Sequence, residues 1–249
     1  MDVGFKTDKG IARYNNEDAC FVMVDENVFI IADGVGGNRS GEIASRTATR
    51  LVSQYISSKP IEKNKGEEYI KDYFNGCIAE TNLGVFQLGQ KFDENFGMAT
   101  TIVIGYIEGS KLYIFNIGDS RAYLYRDGVI RQITEDHTYV NTLVKAGVIS
   151  KEAALVHEKK NVITRALGAE AITNADAFIE LLQEDDIIIM CTDGLYGEVS
   201  EREMVEVFKK GYNMSQTCSN LVELANLNGG GDNITIICLK FTKEDSHEQ

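Results

Sequence analysis

The chain predicts an α+β fold: an α-β-β-α layered sandwich of two antiparallel sheets flanked by helices, with a small helical flap inserted near residues 134–170. Three observations carry this reading. Short runs rich in β-branched and aromatic residues are spread over the whole length. Several are joined by turns too short for a crossover, which forces antiparallel pairing. The clearest helical stretches come as isolated pairs between strand sets, the pattern of helices laid on a sheet.

The runs at 2–6, 19–24 and 28–33 read as strands and lead into a helix over 40–57. There Ala44, Ala48, Leu51, Val52 and Tyr55 recur at helical spacing, and Ser40 is placed to cap the N-terminus. A second helix spans 66–91, and strands follow at 99–107, 111–117, 121–126 and 129–133. The segments "EGSK" and "RDGV" are hairpin turns, the second through Asp127-Gly128. The polar block 134–170 carries helices at 138–146 and 150–156. Strands at 175–181 and 186–192, helices at 201–209 and 214–227, and a strand at 233–241 complete the chain. Pro60 is the single proline, and there is no Gly/Ser-rich spacer or repeat of fixed period. One domain over 1–241 with a polar tail at 242–249 is therefore expected.

Of the 249 residues, 43% are hydrophobic and 25% charged, enough to bury a sizeable core. The formal charge of −13 argues against nucleic acid as a partner, because phosphate backbones are held by an excess of Lys and Arg. The N-terminal "MDVGFKTDKG" has no apolar signal-peptide core, and no apolar run approaches a membrane span. Cys20, Cys77, Cys191, Cys218 and Cys238 form no CxxC pair, so neither a disulfide framework nor a zinc knuckle is signalled. A monomer in a reduced, cytoplasmic setting is the expectation.

The chemistry concentrates where apolar runs meet aspartate and glycine. "VFIIADGVGG" places Asp33 there, "YIFNIGDS" Asp119 and "DIIIMCTDG" Asp193; "GGGDNITII" sets Asp232 just ahead of a strand. A single aspartate beside glycine is an ordinary turn former. Four such sites, if folding gathers them, are different: carboxylates about 5 Å apart repel by roughly 3 kcal/mol per pair at an effective dielectric near 20. Such a cluster persists by protonating or by holding cations, and all-oxygen donors without a Cys or His pattern favour Mg²⁺ or Mn²⁺. Glycine lets backbone approach an ion closely, so the Gly34 carbonyl is a candidate donor. Arg13, in "GIARYNNEDA", offers a guanidinium for phosphate. Competing chemistries fail on spacing. No cysteine is followed by arginine six residues on, no P-loop is present, and Arg39 stands where the third glycine of a dinucleotide fingerprint belongs.

The segments "GIARYNNEDA", "ADGVGGNRSGE", "GMATT", "NIGDSRAYLYRDG", "QITEDHTYVNTLVKAG", "NVITRALG", "CTDGLYGEVS" and "GGGDNITIICL" together resemble the PPM-type (type 2C) metal-dependent serine/threonine protein phosphatases, most closely the bacterial single-domain form. The motifs run in the family's order over nearly the whole chain. The resemblance implies hydrolysis of phosphoserine and phosphothreonine on proteins by a metal-activated water, in opposition to a bacterial Ser/Thr kinase, with two central Mn²⁺ or Mg²⁺ ions and a weaker third. It implies that Asp33 bridges the central ions, with the Gly34 carbonyl on one of them. Asp193 and Asp232 complete the other ion's shell, and Glu17 and Asp18 bind metal-ligated waters. Asp119 joins Asp193 at the third site, Asn233 is supporting, and Arg13 holds the substrate phosphate. The flap corresponds to 134–170. Three departures stand out: Val35 where eukaryotic relatives commonly carry a histidine proposed as general acid, Ala99 in place of a glycine, and "VHEKKN" where His-Pro is frequent. His137, His157 and His247, with Lys159 and Lys160, read as hydrogen-bonded or solvated side chains. Ser120 and Thr192 read as hydrogen-bonding hydroxyls without a histidine base in sequence. A non-catalytic phosphoprotein scaffold is the alternative of a different class; it would be expected to have lost metal aspartates that are all present here. A phosphatase dedicated to one small regulator is a third reading.

Overall fold

A computed structural model of the chain describes residues 1–36 and 40–242. Two antiparallel sheets form its middle. One is ordered β1-β11-β10-β7-β8, the other β2-β3-β5-β6-β9 with the short β4 also paired to β3. The strands are β1 (Asp2–Asp8), β2 (Asp18–Met23), β3 (Val28–Val35), β4 (Ala99–Thr100), β5 (Ile102–Glu108), β6 (Lys111–Ile117), β7 (Arg121–Arg126), β8 (Val129–Gln132), β9 (Asp176–Leu181), β10 (Ile187–Cys191) and β11 (Ile234–Lys240). The long helices are α1 (Ser40–Ser58), α2 (Glu67–Lys91) and α7 (Met214–Asn228). The shorter ones are α3 (Tyr139–Lys145), α4 (Lys151–Leu155), α5 (Asp193–Tyr196) and α6 (Glu201–Phe208).

Strand alternation produces the layers. In β3, Phe29 and Ile31 point between the sheets, where they meet Val103, Ile114, Ile188, Met190, Ile237 and Leu239. Val28 and Ile30 point the other way and pack with Ala44, Ala48 and Val52 of α1 and Phe74 of α2. On the opposite sheet Ile234, Ile236 and Cys238 bury against Leu221, Val222 and Ala225 of α7. The result is the expected α-β-β-α sandwich. The β7–β8 hairpin turns at Asp127 and Gly128, both at positive φ (52° and 80°), as a two-residue turn that follows the strand twist requires.

The structure differs from the sequence expectation in local but consequential ways. The strand expected at 99–107 is two: β4 pairs Gly34 and Val35, β5 pairs Val28 through Ile31, and Thr101 lies between them. Consequently β3 does not end at Asp33 but runs two residues further, so this carboxylate lies inside a paired strand. The flap is less helical than expected, with α3 of seven residues and α4 of five. Bridges Thr138↔Ile163 and Thr100↔Leu167 tie its return segment down. Ser40 opens α1 and its hydroxyl donates to the Glu94 carbonyl at 3.1 Å; residues 37–39 before it lie outside the described residues. All five cysteines are free thiols. No helix among the described residues is long and apolar enough to cross a membrane.

Candidate active site

The aspartates named from sequence gather at one end of the sandwich because both sheets end there. Asp18 opens β2 directly opposite Asp33 in β3. Asp193 follows β10 as the first residue of α5, and Asp232 precedes β11, the neighbour of β10. Asp119 lies in the turn that carries β6 of one sheet into β7 of the other.

Packing like charges together leaves an electrostatic signature. Burial pushes Asp33 well above the usual carboxylate range, and the charges of Asp18, Asp193, Asp119 and Asp232 push it further. Burial raises Asp18 to about 7; Asp193 and Asp232 add to this, against hydrogen bonds from Thr235 and Thr192. Asp119 is likewise raised to about 7, by burial first and then by Asp193 and Asp136. Asp193 is raised by burial and by Asp232. Asp18 Oδ1 and Asp193 Oδ1 are buried with no hydrogen-bond partner. An orphaned buried carboxylate oxygen is costly, and a cation is what would satisfy it.

Among the described residues no group of three or more His, Cys, Asp and Glu side chains stands close enough to hold an ion by itself. The donor set is oxygen throughout, and the orphaned oxygens belong to two of the expected ligands, so the residues present suit the group the sequence implied.

Neighbouring hydroxyls hold the Asp18 carboxylate and the Asp33 main chain. Thr192 Oγ1 donates to Asp18 Oδ2 at 2.8 Å and accepts from the Thr235 N–H at 3.0 Å. Thr101 Oγ1 accepts the Asp33 N–H at 2.9 Å and shares a 2.6 Å hydrogen bond with Ser120 Oγ, next to Asp119. Ser120 and Thr192 are therefore hydrogen bonders, as read from sequence. Asn233 Oδ1 accepts the Glu17 N–H at 2.8 Å, and its Nδ2 donates to the Lys9 and Asn15 carbonyls, so it holds the loop that carries Glu17. Arg13 Nη2 donates to Asp232 Oδ2 at 2.7 Å, with about half of its side chain exposed (51%). Gly34 is required by close approach: a Cβ there would lie 2.0 Å from the Gly41 carbonyl oxygen, where α1 abuts β3. Val35 is half exposed beside this cluster and has no proton to give.

His137 is buried and hydrogen-bonded at the root of the flap, while His157, Lys159 and Lys160 sit on the flap surface; His247 lies outside the described residues. Sequence reasoning missed Tyr196 and Thr101 as supports of the site. "DGLY" forms a four-residue helix too short to show periodicity, and the Tyr196 hydroxyl reaches the Asp119 carbonyl, 77 residues away, at 3.0 Å.

The chain is similar to known proteins over nearly its whole length. The model of the family described as protein phosphatase 2C matches residues 12–227. The serine/threonine phosphatase stp of Listeria monocytogenes is 37% identical over 243 residues, 96% of each chain. The crystal structure of the serine/threonine phosphatase Stp1 from Staphylococcus aureus superposes with a TM-score of 0.89 at 31% identity, covering 97% of this chain and 95% of that one. A third similar structure is the catalytic domain of the serine threonine protein phosphatase PstP in complex with two manganese ions, with a TM-score of 0.80 at 29% identity, covering 95% and 96%. The layered fold is shared with these bacterial serine/threonine phosphatases, and the chain belongs to the protein phosphatase 2C family. It is a serine/threonine protein phosphatase, a hydrolase acting on phosphoproteins with the help of metal ions.

Proposed function

We propose that this phosphatase is a cytoplasmic monomer, one catalytic domain over residues 1–241, that reverses the action of a bacterial Ser/Thr kinase on phosphoserine and phosphothreonine. Asp18, Asp33, Asp193, Asp232 and the Gly34 carbonyl are the residues assigned to two central Mn²⁺ or Mg²⁺ ions, and Asp119 with Asp193 to a weaker third. Asp18 here is assigned either directly or, with Glu17, through ligated waters. Bound there, the cations would neutralise phosphate charge and activate a water for in-line attack on phosphorus. The observation that carries these assignments is the pair of buried, unpartnered oxygens on Asp18 and Asp193 within a cluster of raised carboxylates.

The protein's own residues contribute positioning and charge. Arg13 offers substrate phosphate a planar fork, anchored on Asp232 and half open to solvent. Asn233 keeps Glu17 in place, the Thr192 hydroxyl orients the Asp18 carboxylate through a buried hydrogen bond, and the Thr101 hydroxyl holds the Asp33 main-chain N–H. Val35 supplies no proton, so the leaving serine or threonine oxygen is protonated by a group other than a side chain at this position.

The test is hydrolysis of a phosphothreonine peptide with added Mn²⁺. Asp33→Asn and Asp193→Asn abolish the activity and keep the wild-type circular dichroism spectrum. Full activity in either variant, or wild-type activity undiminished by EDTA, would overturn the assignment. For the kinase-opposing role, phosphoserine and phosphothreonine on kinase substrates should rise in cells lacking the protein; an unchanged phosphoproteome counts against it.

A further inference from the structure

The turn at Gly118 and Asp119 is held by one histidine. The His137 main-chain N–H donates to the Gly118 carbonyl at 2.9 Å, and its side-chain Nδ1 accepts the Gly118 N–H at 3.0 Å. Both backbone groups of a single residue are thus bound by one partner. Because Nδ1 accepts, the ring proton of the neutral imidazole sits on Nε2, where Asp176 Oδ2 receives it at 3.2 Å. Arg165 Nη2, itself a donor, stands beside the same nitrogen without a hydrogen bond to it, and Arg165 Nη1 donates to Asp176 Oδ1 at 2.9 Å, holding the carboxylate that receives the ring proton. The ring is buried, with 4% of the side chain exposed.

The far side of the turn is held as well. The Tyr196 hydroxyl donates to the Asp119 carbonyl at 3.0 Å. The Arg121 guanidinium lies over the Tyr196 ring, 3.7 Å from its centroid, and is bidentate to Asp136, the residue before His137. Gly118 has φ +104°, and a Cβ there would lie 2.6 Å from Thr101 Cγ2, so the turn has one tight path past the strand break. Simple packing does not need these atoms. A leucine would fill much of the same space yet leave the buried Gly118 N–H without a partner.

We propose that His137 is a positioning residue for the phosphatase site: Nδ1 fixes the Gly118–Asp119 turn, with Tyr196 as its counterpart on the other side, and so sets where the Asp119 carboxylate points. The inference rests on the reading of Asp119 as a cation ligand. The two ring nitrogens have separate jobs, Nδ1 on the turn and Nε2 on Asp176.

Two substitutions separate those jobs. His137→Asn puts its Oδ1 near the position of Nδ1 and keeps the acceptor for Gly118. His137→Gln places its polar atoms one bond further out, near Nε2, and loses that acceptor. Amide hydrogen exchange of residues 118–120 in the metal-free protein, and Mn²⁺ binding by calorimetry, are the readouts. His137→Gln speeds the exchange and weakens the weakest Mn²⁺ step, each by about fivefold, the factor one hydrogen bond of ordinary strength is worth. His137→Asn stays close to wild type in both. Equal effects of the two substitutions on exchange would mean a merely structural histidine and would overturn the proposal. Should His137→Gln fail to fold, Tyr196→Phe decides: it weakens the same Mn²⁺ step and spares the tighter ones, and unchanged binding refutes the clamp. Asp119→Asn is the independent control. If it leaves the weakest Mn²⁺ step intact, the reading of Asp119 as a ligand fails, whatever the exchange result.

Discussion

Thr192→Val is a near-isosteric change at a fully buried position, so its cost isolates one hydroxyl. That hydroxyl donates to Asp18 Oδ2 at 2.8 Å and accepts from the Thr235 N–H at 3.0 Å. A hydrogen bond to a charged group contributes about 1.5–3 kcal/mol, and a buried N–H left unpaired costs about 1–3 kcal/mol. The two share one oxygen and do not add fully, which gives an expected loss of about 3 kcal/mol. For a chain of this size that lowers the Tm by roughly 6–12 °C. The loss depends on pH. Asp18 is raised to about 7, with the Thr192 hydrogen bond acting to lower it, so Thr192→Val raises it further. The carboxylate part of the penalty is therefore largest above pH 7 and shrinks toward pH 5, where the folded protein holds Asp18 protonated. The assay is urea unfolding followed by circular dichroism in EDTA at pH 5.5 and pH 8, with Thr192→Ser as the control that keeps the hydroxyl. A Val variant within about 0.5 kcal/mol of wild type at pH 8, or a Ser variant as damaged as the Val one, would refute the reasoning.

Two further outcomes follow from the same cluster. Asp18 and Asp119 are raised to about 7 from an ordinary 3.8, so their contribution to stability is fully present below the ordinary value and is lost as pH rises through about 7. In EDTA the Tm accordingly falls between pH 5 and pH 8, and saturating Mn²⁺ raises it more at pH 8 than at pH 5; a flat profile in EDTA contradicts the clustering. Gly34→Ala forces a Cβ to within 2.0 Å of the Gly41 backbone, so α1 must move away from β3. A loss of about 3 kcal/mol or more, or failure to fold, is expected, and a thermal melt like that of wild type rules out the close approach.

Much of the site was legible because its chemistry is written in local motifs. Asp33, Asp193 and Asp232 each adjoin an apolar strand-like run and a glycine, and spacing alone excluded cysteine-based and P-loop mechanisms. The family resemblance supplied the roles. What the sequence could not carry was pairing between distant segments. The break at Thr101 is invisible in the apolar run around it, yet it lets β4 and β5 pair successive stretches of β3. The flap read as more helical than it is because polar, helix-favouring composition does not register the bridges to Thr138 and Thr100.

Taken alone, the sequence determined the layers: strand-like runs joined by two-residue hairpin turns leave only antiparallel pairing, with helices laid on the sheets, whereas the structure decided that Val28 and Ile30 face the helices and Phe29 and Ile31 the other sheet. The sequence also determined which aspartates were available. The tertiary structure decided what those aspartates experience. Asp18 stands against Asp33 only through strand register, meets Thr192 across 174 residues, and keeps one oxygen unpartnered because the surrounding charges share its sign. Desolvation and like-charge repulsion depend on three-dimensional neighbours, and no count of residues along the chain contains them.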